Sequence, residues 1–213
     1  MTKFLILEDL DEADTRSVIA ASRRRRYKRG EAICREGDPG DTLHLVDRGH
    51  VAIRVTTPAG DTATMRVTGP GSHFGEMAVL ELVARSATVM AIDAVETLSI
   101  HRDVIRNLQV KFPSVDRAML LASLKEIRRL SNALTEALYL PVPRRLARNI
   151  QRLTEVFEDG VIPLTQDDLA GLTGTTRQTA NEVLRALEAD GAIKLSRGKV
   201  TIVDLARLTR AAR

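Results

Sequence analysis

Two residue pairs, each with one charged member, stand at the two ends of an apolar run in the first half of the chain. Gly75-Glu76 opens the run and Arg85-Ser86 closes it, and the residues between them read MAVLELVA. We interpret this run as part of the core. A carboxylate accepts hydrogen bonds from hydroxyl groups, and a guanidinium binds anions. An acid and a base at the two ends of one buried segment therefore predict a ligand that carries both hydroxyls and an anionic group.

A second pattern, TQDDLAGLTGTTRQTANEVLRALEADG, predicts two helices separated by a tight turn. Thr165 is suited to cap the first helix, with Asp168 as the reciprocal acid three residues later. Gly174 allows the sharp turn, and Thr175 or Thr176 caps the second helix. Apolar residues follow one face of that second helix, which leaves its other face for polar side chains.

The polar face of the second helix carries side chains that can read DNA. Arginine pairs with guanine, and glutamine or asparagine with adenine, through two hydrogen bonds each. At the start of a helix after a tight turn, such side chains reach base edges in the major groove. The alternative is a solvated face of two ordinary packed helices. The residues on this face are Arg177, Gln178, Asn181, Arg185 and Glu188.

The elements around these patterns differ between the two halves of the chain. Segments such as HVAIRVT and TATMRVT alternate like half-buried strands. About eight such strands, separated by glycines, predict a sandwich or jelly roll after an acidic amphipathic helix at roughly residues 8–22. After His101 the pattern is helical. Near the C-terminus, IKLSRGKVTIV predicts a hairpin that turns at Arg197-Gly198. We expect this hairpin to lie as a wing over the phosphate backbone of DNA.

A long helix after residue 113 has the spacing of a coiled coil. Leucine and isoleucine recur at alternating steps of four and three, with Ser131 as one polar interruption. One helix cannot bury this seam alone, so the spacing predicts a homodimer; the alternative is a helix packed on its own domain. Pro141 and Pro143 should end the helix. The seam residues are Leu120, Leu124, Ile127, Leu134 and Leu138.

Composition limits the classes of function. The chain has 213 residues, a net charge of +4 and no run long enough to span a membrane, so we expect a cytoplasmic protein of one or two domains. With 3% aromatic residues, recognition of single strands by stacking is not expected. Cys34 is the one cysteine, and the four histidines lack metal-ligand spacing. No arrangement supports catalysis, so the chain is not expected to be an enzyme.

In order, these motifs resemble the Crp/Fnr family of bacterial transcription factors. REGDPGDTLHLVDRGHVAI resembles the opening of its sensor domain, and FGEMAVLELVARSATV resembles the phosphate-binding cassette of cyclic-nucleotide-binding domains. LSNALTEALYLPVPRRLAR resembles its dimer helix and hinge. The resemblance implies an α+β protein: a jelly-roll β-barrel sensor (1–113), a dimerisation helix (114–140) and a winged helix-turn-helix (141–213).

The resemblance also implies roles in ligand binding. Glu76 would accept a hydrogen bond from a ribose 2′-hydroxyl, and Arg85 would pair with a cyclic phosphate. Ser86 would add a hydroxyl donor, and backbone N–H groups near Gly75 and Ala87 would complete the anion cradle. The implied effector is a cyclic nucleotide, with cAMP favoured, and no obligatory cofactor.

Ser131 resembles the position from which the dimer helix reaches a bound base. The implied partners are a second copy of the chain, a palindromic DNA operator and RNA polymerase, with no membrane. The chain departs from the family at LELVA (80–84), where a Gly- and Pro-containing link is usual, and at Leu130, where cAMP-responsive members often have a hydroxyl. The implied DNA-binding residues are Thr165, Thr176, Arg177, Gln178, Asn181, Glu182 and Arg185.

Several alternatives remain open at this level. Glu182 replaces the family's usual arginine; its carboxylate either repels phosphate or accepts from cytosine N4. Glu76 and Arg85 could be a plain ion pair in a regulator with another effector or none. A cyclic-nucleotide-binding regulatory subunit of an enzyme would not need the helix-turn-helix, and a phosphodiester-cleaving enzyme would lack an evident base. Cys34 alone cannot hold the iron–sulfur cluster of one family branch.

Overall fold

The computed structural model describes residues 2–213, which divide into two compact units. The first runs to Ile53 and resumes over Thr68–Leu130; the second comprises Arg54–Val67 and Ser131–Arg213. The domain boundaries expected from the sequence, at residues 113 and 140, stay predictions. No helix within residues 2–213 combines the length and the apolar character that a membrane span requires.

Eight strands form two four-stranded sheets before residue 102, so the predicted sheet domain is confirmed. The sheet orders are β1-β8-β3-β6 and β2-β7-β4-β5. A 3-10 helix (Leu5–Leu7) and α1 (Glu12–Ala20) precede them, somewhat shorter than the predicted 8–22. The strands are β1 (Arg23–Tyr27), β2 (Ala32–Cys34), β3 (Thr42–Arg48), β4 (Val51–Thr56), β5 (Thr62–Thr68), β6 (His73–Phe74), β7 (Thr88–Ala91) and β8 (Val95–His101).

β3 shows how the period-two pattern builds the core. It lies between β8 and β6 in the sheet, so both of its edges are hydrogen-bonded. Leu43 and Leu45 point into a cluster that also contains residues of α1 and of the later helices, whereas Val46 points into a second cluster with Phe74. This alternation fixes which side chains of β3 share a face, and Thr42 shares its side with His44.

Helices dominate after residue 101, as the sequence predicts. α4 ends at Tyr139, just before Pro141, and α5 begins at Val142 with a proline in its first turn. The short helices α2 and α8 are not evident in the sequence. The helices are α2 (Glu76–Glu81), α3 (Arg102–Lys111), α4 (Pro113–Tyr139), α5 (Val142–Val156), α6 (Gln166–Thr173), α7 (Arg177–Ala189) and α8 (Leu205–Ala211).

In the second unit, α5 contacts α6, α7 and α8 around a fully buried centre. β9 (Val161–Ile162), β10 (Ile193–Ser196) and β11 (Lys199–Ile202) form a sheet in the order β10-β11-β9. The β10–β11 hairpin turns at Arg197-Gly198, which confirms the predicted hairpin; we call it the wing, and its contact with DNA stays a prediction. α6 lies close to β5, since a Cβ added at Gly171 would sit 2.6 Å from the backbone nitrogen of Thr64.

Candidate effector and DNA-binding sites

Gly75 lies where the predicted cradle begins, at the N-cap of α2. Its φ is +88°, in the region that favours glycine. A Cβ at this position would lie 2.2 Å from Nη1 of Arg85 and 2.8 Å from the carbonyl oxygen of Thr42. Backbone conformation and the close approach of the Thr42 carbonyl therefore both require glycine at position 75.

Arg85 is a buried cation, with 5% of its surface exposed. Its Nη2 donates to Oγ1 of Thr42 at 2.7 Å, and Nη1 donates to the carbonyl of Gly75 at 3.4 Å. Nε is buried and has no hydrogen-bond partner among residues 2–213. The backbone of Arg85 is held on both sides, because its N–H donates to Asp38 and its carbonyl accepts from Gly37.

The apolar run between the two charged pairs is largely exposed, so its interpretation as core is wrong. Ala78 and Val79 are buried, but the other apolar side chains up to Val83 are 43–50% exposed. α2 is six residues long and buries only one side, which explains the exposure. Its C-cap residue is Leu82, whose φ of 60° is unusual for a residue with a Cβ and costs about 1–2 kcal/mol. The departure at 80–84 thus includes a strained residue.

The structure brings two of the predicted ligand residues, Gly75 and Arg85, into direct contact. Glu76 is half-buried at the first position of α2, and Ser86 and Ala87 follow Arg85 with Ser86 exposed. Ser131 belongs to the second unit, where it is exposed on α4 and its carbonyl accepts from Thr135 Oγ1 at 3.0 Å. The ligand roles of these residues stay predictions.

Thr42 and His44 are polar neighbours of Arg85 that the sequence did not reveal. His44 is 5% exposed and stacks on Phe74 with 4.9 Å between ring centroids. Burial, followed by the charge of Arg85, lowers the pKa of His44 from 6.5 to about 4. Thr42 and His44 lie on one face of β3, and no local pattern in the sequence indicates that Arg85, 43 residues after Thr42, meets that face.

The first helix of the helix-turn-helix begins with the predicted capping box. The backbone N–H of Asp168 donates to Thr165 Oγ1 at 3.1 Å, and Oδ2 of Asp168 accepts from the backbone N–H of Thr165 at 3.0 Å. Two further residues of the second unit, Arg54 and Thr64, donate to Oδ1 at 2.8 and 3.0 Å. Burial alone would raise the pKa of Asp168, but hydrogen bonds from Thr165 and the charge of Arg54 lower it overall.

The second helix, α7, is capped by Thr176, whose side chain accepts from the N–H of Thr179 at 3.2 Å. Arg177, next in the chain, has 69% of its side chain exposed and lies 3.5 Å from Asp167. Gln178 is also exposed and donates from Nε2 to Oε1 of Glu182 at 3.2 Å. Glu182 therefore holds the amide of a residue that we expect to read a base.

Two residues on this face are engaged elsewhere. Asn181 is half-buried and accepts a 2.9 Å hydrogen bond from Gln166, which links α6 to α7. Glu188 was placed on the outward face, but its Oε1 accepts from the backbone N–H of Leu195 at 2.7 Å in the wing, and its Oε2 accepts from Arg185. The wing lies beside this end of α7 and provides the N–H group, which explains the difference.

Comparison with known proteins matches both parts of the chain to described domains. Residues 24–111 match the cyclic nucleotide-binding domain, and residues 144–211 match the Crp-like helix-turn-helix domain. The chain is 31% identical over 194 residues to the CRP-like cAMP-activated global transcriptional regulator of Mycobacterium tuberculosis, covering 88% of this chain and 87% of that protein. The chain belongs to the Crp/Fnr family of transcription regulators. It is also 35% identical to the cyclic AMP receptor protein of Thermus thermophilus, with 87% and 86% of the two chains covered.

Solved structures support the same Crp/Fnr fold. The global regulator CLP of Xanthomonas campestris superposes with a TM-score of 0.77 over 90% of this chain and 99% of that chain, at 24% identity. The matched cyclic nucleotide-binding domain contains Gly75 to Ala87, and the matched Crp-like helix-turn-helix domain contains Thr165 to Arg185. Ser131 falls between the matched ranges. Within residues 2–213, no cluster of His, Cys, Asp and Glu could hold a metal ion.

Proposed function

We propose that this chain is a homodimeric, sequence-specific DNA-binding regulator controlled by a cyclic nucleotide, with cAMP favoured. Its family is one of transcription regulators, and the two relatives described above are named for cAMP. The observation that carries the choice of effector is the buried guanidinium of Arg85, which bonds to two neutral oxygens. We further propose that the protein acts in the cytoplasm, contacts RNA polymerase and is not an enzyme.

The environment of Arg85 favours an anionic ligand. A buried cation that lacks an opposite charge is costly, and an unpaired buried N–H adds to this cost. A cyclic phosphate would provide the negative charge and an acceptor for Nε. Its ribose would lie near the start of α2, where Glu76 can accept from the 2′-hydroxyl and Ser86 can donate to the phosphate. Ser131 of the dimer helix would reach the base.

The seam of α4 supports a homodimer. Its apolar side chains are 47–66% exposed, and a second copy of the same helix would cover them with the four–three spacing of a coiled coil. Leu130 is exposed beside this seam as well. The two recognition helices of such a dimer would read half-sites about 34 Å apart on a palindromic operator. The exposed seam residues are Leu120, Leu124, Ile127, Leu134 and Leu138.

The effector is tested by calorimetry with cAMP and cGMP on protein freed of bound nucleotide. We expect Arg85→Ala to weaken binding by about 2–5 kcal/mol, the cost of removing one partner of a buried charge pair. Arg29→Ala is a matched control, because Arg29 is exposed and its replacement should leave affinity unchanged. Absence of heat with both nucleotides would instead favour a Crp/Fnr regulator that responds to another signal or to none.

DNA recognition is tested by selection from random duplexes, followed by gel shifts with and without cAMP. Selection should yield a palindrome, and cAMP should tighten binding to it. Glu182→Gln separates two roles of the carboxylate: tighter binding to every sequence indicates repulsion of phosphate, whereas selective weakening of the preferred site indicates a contact with cytosine. Failure to bind any duplex would favour a regulatory subunit that controls a partner enzyme.

A further inference from the structure

A line of polar groups leads away from Arg85 into the first sheet. Nη2 of Arg85 donates to Thr42 Oγ1 at 2.7 Å, Thr42 Oγ1 lies 3.3 Å from Nε2 of His44, and Nδ1 of His44 lies 3.1 Å from Thr97 Oγ1. Thr97 has no exposed surface, and His44 is 5% exposed. Thr42 is half-buried, whereas water has little access to His44 and Thr97, so these two side chains must satisfy one another.

The chemistry of these groups gives the line a direction. A guanidinium only donates hydrogen bonds, so Thr42 must accept from Arg85. The Thr42 hydroxyl proton is then available to His44 Nε2, and Nδ1–H of His44 donates to Thr97. The reverse tautomer would turn an N–H of the ring toward the cation. The electrostatic field of Arg85 disfavours that orientation, because the negative end of the imidazole dipole is more stable when it faces a positive charge.

His44 stays neutral in this arrangement, so its Nε2 can accept the hydroxyl proton of Thr42. Burial and the charges of Arg85 and of Arg25 on β1 lower its pKa to about 4, against the opposing effect of Asp41. Protonated histidine has no acceptor nitrogen and could not receive the Thr42 proton. Stacking on Phe74 fixes the plane of the ring, which limits the rotation that would break the line.

We propose that Thr42 and His44 are positioning residues that hold the Arg85 guanidinium in the orientation required to bind the cyclic phosphate. This inference rests on the proposed function. Thr42 fixes one nitrogen of the guanidinium, while Nε has no hydrogen-bond partner in the part of the chain that the structure describes. His44 acts through Thr42, because it directs the hydroxyl proton away from Arg85 and leaves the oxygen lone pairs to the guanidinium.

Calorimetry with cAMP and cGMP on three threonine variants tests the proposal. Thr42→Val keeps the shape of the side chain and removes the acceptor, so affinity should fall roughly 10- to 100-fold, as for loss of a hydrogen bond to a charged group. Thr42→Ser restores the hydroxyl and should recover most of that loss. Thr62→Val makes the same chemical change at an exposed site and should bind like the wild type.

The possible outcomes separate this inference from the proposed function. If the wild type binds a nucleotide and Thr42→Val binds within twofold of it, the positioning role is refuted and the effector site stands. If the wild type binds neither nucleotide, the effector proposal and the role of Thr42 in it are both refuted. Nitrogen NMR of His44 adds a readout that needs no ligand: Nδ1 should carry the proton at neutral pH, and a proton on Nε2 would contradict the direction of the line.

Discussion

Arg145, near the start of α5, donates hydrogen bonds to the C-terminal ends of two helices. Nη1 donates to the carbonyls of Ala137 and Leu140, at 3.1 and 2.9 Å, where α4 ends. Nε donates to the carbonyl of Thr173 at 3.1 Å, and Nη2 to that of Gly174 at 3.4 Å, where α6 ends. One guanidinium thus joins the end of α4 to the turn that precedes α7.

The loss expected for Arg145→Ala follows from these bonds. Hydrogen bonds to a charged donor contribute about 1.5–3 kcal/mol each, and a cation at a helix C-terminus adds about 0.3–1 kcal/mol. Arg145 is only half-buried, so water can replace part of what is lost. We therefore expect the free energy of unfolding of the second unit to fall by about 2–4 kcal/mol, less than the sum over all four carbonyls.

Urea unfolding followed by circular dichroism measures this loss, since the chain has no tryptophan. Hydrogen exchange of the α6 amides assigns it to the second unit. Arg145→Lys should recover only part of the stability, because one ammonium cannot bond both helix ends. Arg144→Ala, at an exposed neighbour, should change stability by less than about 0.5 kcal/mol. A loss for Arg145→Ala as small as this control would refute the reasoning.

Four further variants test the dimer, the DNA contacts and the capping box. Replacing Leu124 and Ile127 with aspartate should give monomers in sedimentation, because like charges would face one another across the seam; an intact dimer would contradict the seam. Arg177→Ala should cost roughly 1–3 kcal/mol per half-site and relax one base position in a site selection, whereas Arg185→Ala should weaken all sequences alike and lower the salt slope by about one. The lowered pKa of Asp168 means that its stabilisation is present above 3.8, its ordinary value, and is lost as the pH falls through the folded-state pKa. Urea midpoints of wild type and Asp168→Asn should therefore differ at pH 7 and converge in acid, and a constant difference would argue against the assignment.

Local chemistry was enough to predict most elements of this protein. The capping box at Thr165 and Asp168 involves residues three apart, so both partners are visible in one short stretch. Pro141 ends a helix by its own geometry, and Gly198 supports a two-residue hairpin turn through its positive φ. The order of these local signals was also sufficient to indicate the family. The short helices α2 and α8 lack such signals, since seven or fewer residues carry little periodicity.

Long-range contacts decided what the sequence alone could not. The run after Gly75 is apolar, yet whether it is core depends on what packs against α2, and there most of it faces outward. Glu188 looks like a surface residue by helical period, but the wing folds back to donate a backbone N–H to it. The sequence was sufficient to identify Arg85 as a candidate anion-binding residue. Its burial beside Thr42 and His44 arises because the fold brings β3 next to residues 75–87. Only that packing removes the Arg85 guanidinium from water and fixes its orientation through the hydrogen bond to Thr42.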